Sequence, residues 1–579
     1  MPFRSRWSIP IPNTSLPSLI FKSPQHPHSD TRKCYVDTTR PDTHFFTVHG
    51  YFLWCKRLAA GLRKSGLKSG DRVLLFSANT FMYPVAFMGI VMAGCVFTGA
   101  NPTYTPRELA YQLSDSGATY LLCAESALDT GIAAAEQSGL ARDRIFVFND
   151  LVYEGTGEGT KGCRYWGELF ASTKEGERFS WEELSTPEAA DRTLALNYSS
   201  GTTGVPKGVQ ITHKNYVANT LQFTNSTYLD KDHAEKLKRT RWMCFLPMYH
   251  AMAQNIFIAA ALILGVPVYL MPRFDFIQML ENTQKFRISN LILVPPIAVA
   301  LAKHPAVKNY DLSSLEQIGC GAAPLGREIS EELEGLFPKG KLFVRQGWGM
   351  TEYDSPSTTC SILGWDPNQK GTSASVGELN PNCEAKIMAE DGVTELGRNQ
   401  QGEIWVRGPN IMKGYWNKPE ATKETLTEDR WLKTGDIGYV DDAGKFYILD
   451  RKKELIKVKG NQVAPAELEA ILLDHSAVAD AAVIGVTNRR TDASHWCKRD
   501  NEEYPRAYII LKPGSPTTVE TAQNIVDYMK DKVAPVKRIT GGIVFVDTIP
   551  KNPSGKILRR ELRDRARSEI KAGLASSKL

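Results

Sequence analysis

Tyr198-Ser199-Ser200-Gly201-Thr202-Thr203-Gly204-Val205-Pro206-Lys207-Gly208 is a dense run of glycines and hydroxyls that closes on a lysine. Glycines let backbone N–H groups approach an anion closely, hydroxyls donate further bonds, and lysine supplies a compact positive charge. The segment reads as a loop that cradles nucleotide phosphates. It is not a Walker A loop, because the order glycine-lysine-Ser/Thr is absent and Lys207 lies between Pro206 and Gly208. P-loop kinases and ATPases are thereby disfavoured.

Outward from this loop, between about Phe45 and Asp450, amphipathic stretches alternate with short apolar runs: Arg72 to Phe76, Tyr120 to Cys123, Val268 to Met271 and Leu291 to Val294. That alternation predicts parallel sheets covered by helices, an α/β fold of two or more doubly wound subdomains. Tyr153 to Arg192, rich in Gly, Glu, Ser and Thr, reads as surface connection. Tyr439 to Arg451 predicts two strands about an Asp442-Ala443-Gly444 turn, and after it comes a smaller α+β unit. In that unit Pro465 opens a helix with Leu468, Ile471 and Leu472 on one face, while Asn488 to Pro505 reads as a polar surface excursion.

Composition bounds the function. The chain has 579 residues, 42% hydrophobic and 23% charged, which is ordinary for a folded globular protein. Its 70 Lys plus Arg against 64 Asp plus Glu leave a formal charge of +6, too weak for a chain this long to imply a nucleic-acid partner. The 10 cysteines form no C-x-x-C pair, so neither a zinc site nor a disulfide framework is expected. The opening MPFRSRWSIPIPNTS lacks the continuous apolar region of a signal peptide. Ile256 to Met271 is shorter than the ~20 residues of a membrane span and reads as a buried helix entering a buried strand. The terminal Ser577-Lys578-Leu579 is the tripeptide read by the peroxisomal import receptor, so a peroxisomal location is expected.

A second motif, Gln346-Gly347-Trp348-Gly349-Met350-Thr351-Glu352, sets an aromatic between glycines and a carboxylate four residues after it. Trp348 suits stacking on a base, and Glu352 suits the magnesium that accompanies ATP.

Together with Gly321-Ala322-Ala323-Pro324, Thr434-Gly435-Asp436, LDRKKELIKVKG (449–460) and Pro550-Lys551-Asn552-Pro553-Ser554-Gly555-Lys556, these motifs stand in the order of the adenylate-forming superfamily, over about Phe45 to Arg563. The sequence resembles an acyl-CoA synthetase of the 4-coumarate:CoA ligase-like branch, in which GAAPLG, GEIWVRGP, KGYW and VAPAELEA are also typical. The resemblance implies an adenylation domain over 1–448, including a barrel-like part, a hinge over 449–453 and a small mobile α+β domain over 454–579. It implies an AMP-forming ligase using ATP, Mg2+ and CoA on a small carboxylic acid.

Carried over residue by residue, the resemblance puts Ser199, Ser200, Gly201, Thr202, Thr203 and Lys207 around the phosphates. Ala322, Gln346, Gly347, Trp348 and Thr351 would line the adenylate, Glu352 would hold the metal, and Asp436 and Arg451 would bind the ribose hydroxyls. Lys556 matches the catalytic lysine, and Lys453 the point on which the small domain turns. Lys457, Lys459, Gly460 and Gln462 match the face that the turn brings against nucleotide and CoA, and Arg273 a contact to CoA phosphates. His250 matches a gate at the mouth of the acyl channel.

Two departures fall in the acyl pocket: Met252 stands where hydroxycinnamate enzymes usually carry tyrosine, and Tyr353 and Asp354 where they carry small residues. A medium-length, unsaturated or aryl-alkanoic acid is therefore expected rather than 4-coumarate, as in fungal ligases that activate acids for secondary metabolism. Three rival readings are an enzyme that loads a carrier protein, a luciferase-type oxygenase, and a nucleotide sensor without catalysis.

Overall fold

The computed structural model describes residues 1–22, 31–199, 206–321, 325–338, 340–350, 363–364, 375–458, 461–487, 503–530, 532–551 and 557–571. An eight-stranded sheet runs, in spatial order, Gly414–Tyr415, Lys207–Thr212, Thr193–Ser199, Val96–Ala100, Arg72–Phe76, Ala118–Ala124, Ile145–Phe148 and Arg164–Tyr165. From Thr193–Ser199 to Arg164–Tyr165 neighbouring strands are parallel. A seven-stranded sheet follows the order Phe343–Gln346, Gln317–Cys320, Asn290–Leu293, Trp242–Cys244, Val268–Leu270, Lys33–Asp37 and Phe45–Thr47, parallel except at its last pair. The expected parallel sheets are thus present, and each of the four apolar runs overlaps a strand.

Both sheets share one apolar core. The helix Tyr83–Met92 is buried along its whole length, because YPVAFMGIVM presents apolar groups on every face. Ile256 to Met271 is likewise buried: the helix that begins at Ala251 is π-helical over Gln254–Ala260, ends at Leu264 on a left-handed Gly265 with φ 65°, and leads into the strand Val268–Leu270. No helix among the described residues is long and apolar enough to cross a membrane.

The barrel-like part corresponds to a six-stranded antiparallel sheet that includes Glu384–Met388, Gly402–Arg407, Leu432–Val440 and Phe446–Arg451. The turn between the last two contains Gly444 at φ 81°, in the left-handed region. Beyond this sheet the apolar clusters are separate: they gather around Ile456, Leu468, Val483 and Ile525, and around Tyr508 and Leu562. There Val478–Val486 and Tyr504–Leu511 pair antiparallel, with Ile543–Phe545 parallel to the second strand. Of the expected face, Pro465–Leu473 buries Leu468 and Leu472 and leaves Ile471 half-buried.

One reading is corrected. Tyr153 to Arg192 is not mere surface connection: Trp166 is fully buried, packs against Phe148 and Phe170, and donates its indole N–H to Asn149 O at 3.0 Å. A single large aromatic anchors a stretch whose average composition reads as loop. Of the excursion Asn488 to Pro505, residues 488–502 lie outside the described residues, while Tyr504 and Pro505 begin a strand.

Candidate functional site

The three parallel strands Asn290–Leu293, Gln317–Cys320 and Phe343–Gln346 end at a cavity of about 370 Å3 between the large and small units. Ligands of open α/β sheets bind outside such carboxyl ends. Gln346, Gly347, Trp348 and Asp436 line one wall, and Ala466, Glu469, Lys551, Ile557 and Arg559 the other.

The large-unit wall is held by bonds between distant segments. Trp348, 7% exposed, donates its indole N–H to Asp436 Oδ2 at 2.8 Å. Asp436 Oδ1 lies 3.4 Å from Arg451 Nε, and the two residues are paired across antiparallel strands. Gln346 donates to Leu325 O at 2.9 Å and accepts from Leu325 N at 2.8 Å, so its amide fixes the chain directly after Ala322-Ala323-Pro324. Gly347 N donates to Cys320 O at 2.9 Å.

The phosphate-loop motif joins two antiparallel strands, Thr193–Ser199 and Lys207–Thr212, with Lys207 opposite Ser199 and Gly208 opposite Tyr198. Its base is pinned from outside the motif. Tyr198 Oη donates to Asp115 Oδ2 at 2.8 Å, Lys418 Nζ to Asp115 Oδ1 at 2.7 Å, and Tyr111 Oη to Pro206 O at 2.9 Å. Lys207 Nζ lies 5.0 Å from the centre of the Tyr415 ring.

His250 precedes the helix that begins at Ala251, half-buried with its ring 4.9 Å from that of Tyr249. Burial lowers its imidazolium to about 4, so the ring is neutral near pH 7. The turn before it is clamped by buried Asn79, which donates to Leu246 O and accepts from Met248 N, both at 2.8 Å. Met252, two residues on, is buried.

The small unit supplies the opposite wall. Lys551 and Ile557 form an antiparallel bridge, so the chain leaves and returns at the cavity on either side of 552–556. Arg559, 8% exposed, bonds both Glu469 oxygens at 2.8 and 2.6 Å and Glu454 Oε2 at 2.9 Å. Burial opposes its charge, yet Glu469, Glu454 and Asp450 hold the guanidinium above its ordinary range. Burial raises the carboxyls of Glu469 and Asp450 against the pull of Arg559. Asp450 accepts from Ala466 N at 3.1 Å, tying the end of the large unit to the first turn of the helix Pro465–Leu473.

The structure therefore gathers Gln346, Gly347, Trp348, Asp436 and Arg451 around one cavity. Lys207, His250, Met252, Arg273, Lys453 and Lys457 do not line it. Arg273 and Lys453 are exposed, and Lys457 is exposed on a short strand opposite Gln462. Ser200, Gly201, Thr202, Thr203, Ala322, Thr351, Glu352, Tyr353, Asp354, Lys459, Gly460, Lys556 and Ser577 to Leu579 lie outside the described residues, and Ser199 is described by its backbone alone. Among the described residues no group of three or more His, Cys, Asp or Glu is placed to hold a metal. Sequence reasoning missed Asn79, Asp115, Asp450, Glu469 and Arg559, whose partners lie far away in the chain; an ion-pair or clamp role of this kind leaves no local spacing to read.

Residues 26–416 match the model of the AMP-binding enzyme family, and residues 467–556 that of its C-terminal domain. The chain belongs to the AMP-binding enzyme family. A 4-coumarate-CoA ligase 1 of Narcissus pseudonarcissus is 38% identical over 95% of this chain and 93% of its own. A 4-coumarate–CoA ligase 1 of Petroselinum crispum is 36% identical over 93% and 92%. Among solved structures, ATP-bound MatB from Rhodopseudomonas palustris aligns with a TM-score of 0.75 at 25% identity over 95% and 98% of the two chains. The o-succinylbenzoate CoA synthetase of Bacillus subtilis, in complex with its acyl-adenylate intermediate, aligns with a TM-score of 0.71 at 26% identity and the same coverage. The protein is an enzyme of this adenylate-forming acid–CoA ligase family.

Proposed function

We propose that this ligase activates a carboxylic acid with ATP and transfers the acyl group to CoA through one site used twice. The reading rests on one observation: Lys551 and Ile557, which flank the segment containing Lys556, line the same cavity as Trp348 and Asp436. The chain thus enters and leaves the segment containing Lys556 at the wall opposite Trp348 and Asp436.

In the first step a carboxylate oxygen of the acid bonds to the α-phosphorus while the bridging P–O bond breaks and pyrophosphate leaves. The Lys556 ammonium bridges the carboxylate and the α-phosphate as charge reorganises, a role suited to a compact cation. Ser199, Ser200, Gly201, Thr202, Thr203 and Lys207 surround the phosphates, while Ala322, Gly347, Trp348 and Thr351 face the adenylate. Gln346 acts by positioning the chain at Leu325, and Asp436 with Arg451 receives the ribose hydroxyls. Glu352 is the residue we assign to magnesium, which would offset phosphate charge.

In the second step the small unit turns at Lys453, withdrawing Lys556 and presenting Lys457, Lys459, Gly460 and Gln462. The CoA thiolate bonds to the acyl carbon and the C–O bond to AMP breaks, with Arg273 contacting CoA phosphates. His250, kept neutral by burial, serves as a gate rather than a charge. The acid is medium-length, unsaturated or aryl-alkanoic, shaped by Met252, Tyr353 and Asp354, and the protein acts in peroxisomes through Ser577-Lys578-Leu579.

Labelled pyrophosphate exchange into ATP, followed by thioester formation on adding CoA, tests the reading across a panel of acids. Exchange with at least one acid and CoA-dependent AMP release are expected. AMP release indifferent to CoA would overturn the CoA step, and no exchange with any acid would overturn the whole.

A further inference from the structure

The two strands that carry the phosphate-loop motif are tied to one carboxylate on a neighbouring helix. Asp115 lies near the C-terminal end of the helix Pro106–Ser116, its side chain 9% exposed. Its Oδ2 accepts the Tyr198 hydroxyl at 2.8 Å, and its Oδ1 accepts Lys418 Nζ at 2.7 Å. One turn earlier on the same face, Tyr111 donates its hydroxyl to Pro206 O at 2.9 Å, with Asp115 Oδ1 3.3 Å away. Tyr198 directly precedes Ser199, and Pro206 directly precedes Lys207. One helix face therefore grips the chain on either side of 199–205. Both Asp115 oxygens are taken by these side chains, so its influence on a nucleotide passes through the motif.

Each part of the clamp is itself held. The helix is closed at its start by Thr105 and Glu108, whose side chains accept from each other's backbone N–H groups. Its end is fixed by Arg72, which donates to Ser116 O at 3.0 Å and to Gly117 O at 2.8 Å. Gln112 binds its middle to the strand Val96–Ala100, donating to Thr98 Oγ1 at 2.9 Å and to Gly99 O at 3.1 Å. Gly208 stands opposite Tyr198 across the strand pair, and a Cβ added there would come within 3.1 Å of Tyr198 Cζ and 3.2 Å of its Oη. The glycine thus leaves the ring room to reach Asp115. Lys418 follows the strand Gly414–Tyr415, which pairs with the strand that begins at Lys207, and Trp416 N donates to Gly208 O at 2.8 Å. Bonds to an ionised carboxylate are stronger than those between neutral groups, so the clamp is suited to keep a geometry.

We propose that Asp115 is a positioning residue for the ATP-consuming half-reaction: through Tyr198, Tyr111 and Lys418 it sets the separation and direction of the two ends of the motif, and with them Lys207, for the phosphates of ATP. The inference rests on the ligase reading, in which that motif surrounds those phosphates. Groups placed in advance need no reorganisation during reaction, and a displacement of about 1 Å can cost about a hundredfold in rate. Pyrophosphate has left once the acyl-AMP has formed, so the clamp serves the first half-reaction and not the attack of CoA.

The test uses the full-length protein and Tyr198→Phe, which removes the hydroxyl and keeps the ring, together with Asp115→Ala. It measures pyrophosphate exchange with the acid that best supports it, the Kd of ATP with magnesium, and thioester formation from the matching acyl-AMP and CoA. Tyr198→Phe is expected to lower kcat/KM for ATP in exchange about tenfold and to raise the Kd. Asp115→Ala is expected to lose more, and the double variant no more than Asp115→Ala alone, because the Tyr198 bond is already gone. KM for the acid and the thioester step are expected to stay within about twofold of wild type. Tyr198→Phe decides the matter should Asp115→Ala fail to fold. Unchanged exchange in Tyr198→Phe, or a fall in thioester formation as large as the fall in exchange, overturns this inference and leaves the ligase reading standing. A wild type that binds ATP but exchanges with no acid overturns the ligase reading, and the Kd of Tyr198→Phe then decides this inference. A wild type that does not bind ATP overturns both.

Discussion

The two walls of the interdomain cavity are fastened differently. On the large-unit side Trp348, Gln346 and Gly347 each bond to a segment distant in sequence, and all three sit at the ends of strands rooted in one continuous core. On the small-unit side Arg559, Glu469 and Glu454 bond chiefly to one another, over separate apolar clusters. The connections from that wall back to the large unit include Asp450 to Ala466 N at 3.1 Å and Lys303 Nζ to Leu473 O at 3.5 Å. One wall is built to keep a geometry. The other is held by bonds within itself, which is what the proposed turn of the small unit requires.

Removing the arginine that organises the small-unit wall should have the largest effect on stability. Arg559→Ala leaves Glu469 and Glu454 buried without their partner and is expected to cost about 3–5 kcal/mol, read as a lowered denaturation midpoint. Loss confined to the small unit, seen as faster hydrogen exchange after residue 455 alone, would sharpen the contrast between the walls. Uniform loss through both units would break it. On the fixed wall, Asp436→Ala removes a charged acceptor from the Trp348 indole, with about 1.5–3 kcal/mol expected in stability and a raised KM for ATP. Lower stability with ATP kinetics untouched would reduce Asp436 to a structural part.

How far the sequence foretold this contrast depends on the kind of residue. Strands such as Arg72–Phe76, the buried Ile256 to Met271 stretch and the Asp442-Ala443-Gly444 turn were legible, because apolar runs and turn glycines act over a few residues. The motif residues Gln346, Gly347, Trp348, Asp436 and Arg451 were legible as a set and meet around one cavity. Asn79 was not, since its partners Leu246 and Met248 lie 167 and 169 residues away and one asparagine carries no spacing. Arg559 was not singled out, since one arginine in the basic stretch after Lys556 carries no spacing, and only its burial against Glu469 and Glu454 gives it a role. The π-helical turn over Gln254–Ala260 also escaped, because apolar periodicity does not distinguish it from an ordinary helix.

Smaller effects test the fixed side in detail. Asn79→Ala frees the turn before His250 and is expected to cost about 1–3 kcal/mol, raising KM for the acid more than KM for ATP. Equal changes in both would separate Asn79 from the acyl side. His250 gives a change seen only as acid is approached, with a definite sign. Its imidazolium is lowered from 6.5 to about 4 in the folded protein, so between those values the unfolded chain binds more protons. Its contribution is fully present above pH 6.5 and is lost as pH falls toward about 4. Thermal unfolding of wild type and His250→Gln across this window should show a shallower pH slope in the variant, whereas identical slopes would contradict a neutral ring.

The most direct test of a fixed wall facing a swinging one compares two variants in the two half-reactions separately. Lys556→Ala should lose adenylation by about a thousandfold and still convert a supplied acyl-AMP to thioester. Lys453→Pro, which restricts the backbone where the turn must occur, should retain adenylation and lose thioester formation. Opposite losses are what a swinging small unit predicts; parallel losses of both half-reactions in both variants would contradict it.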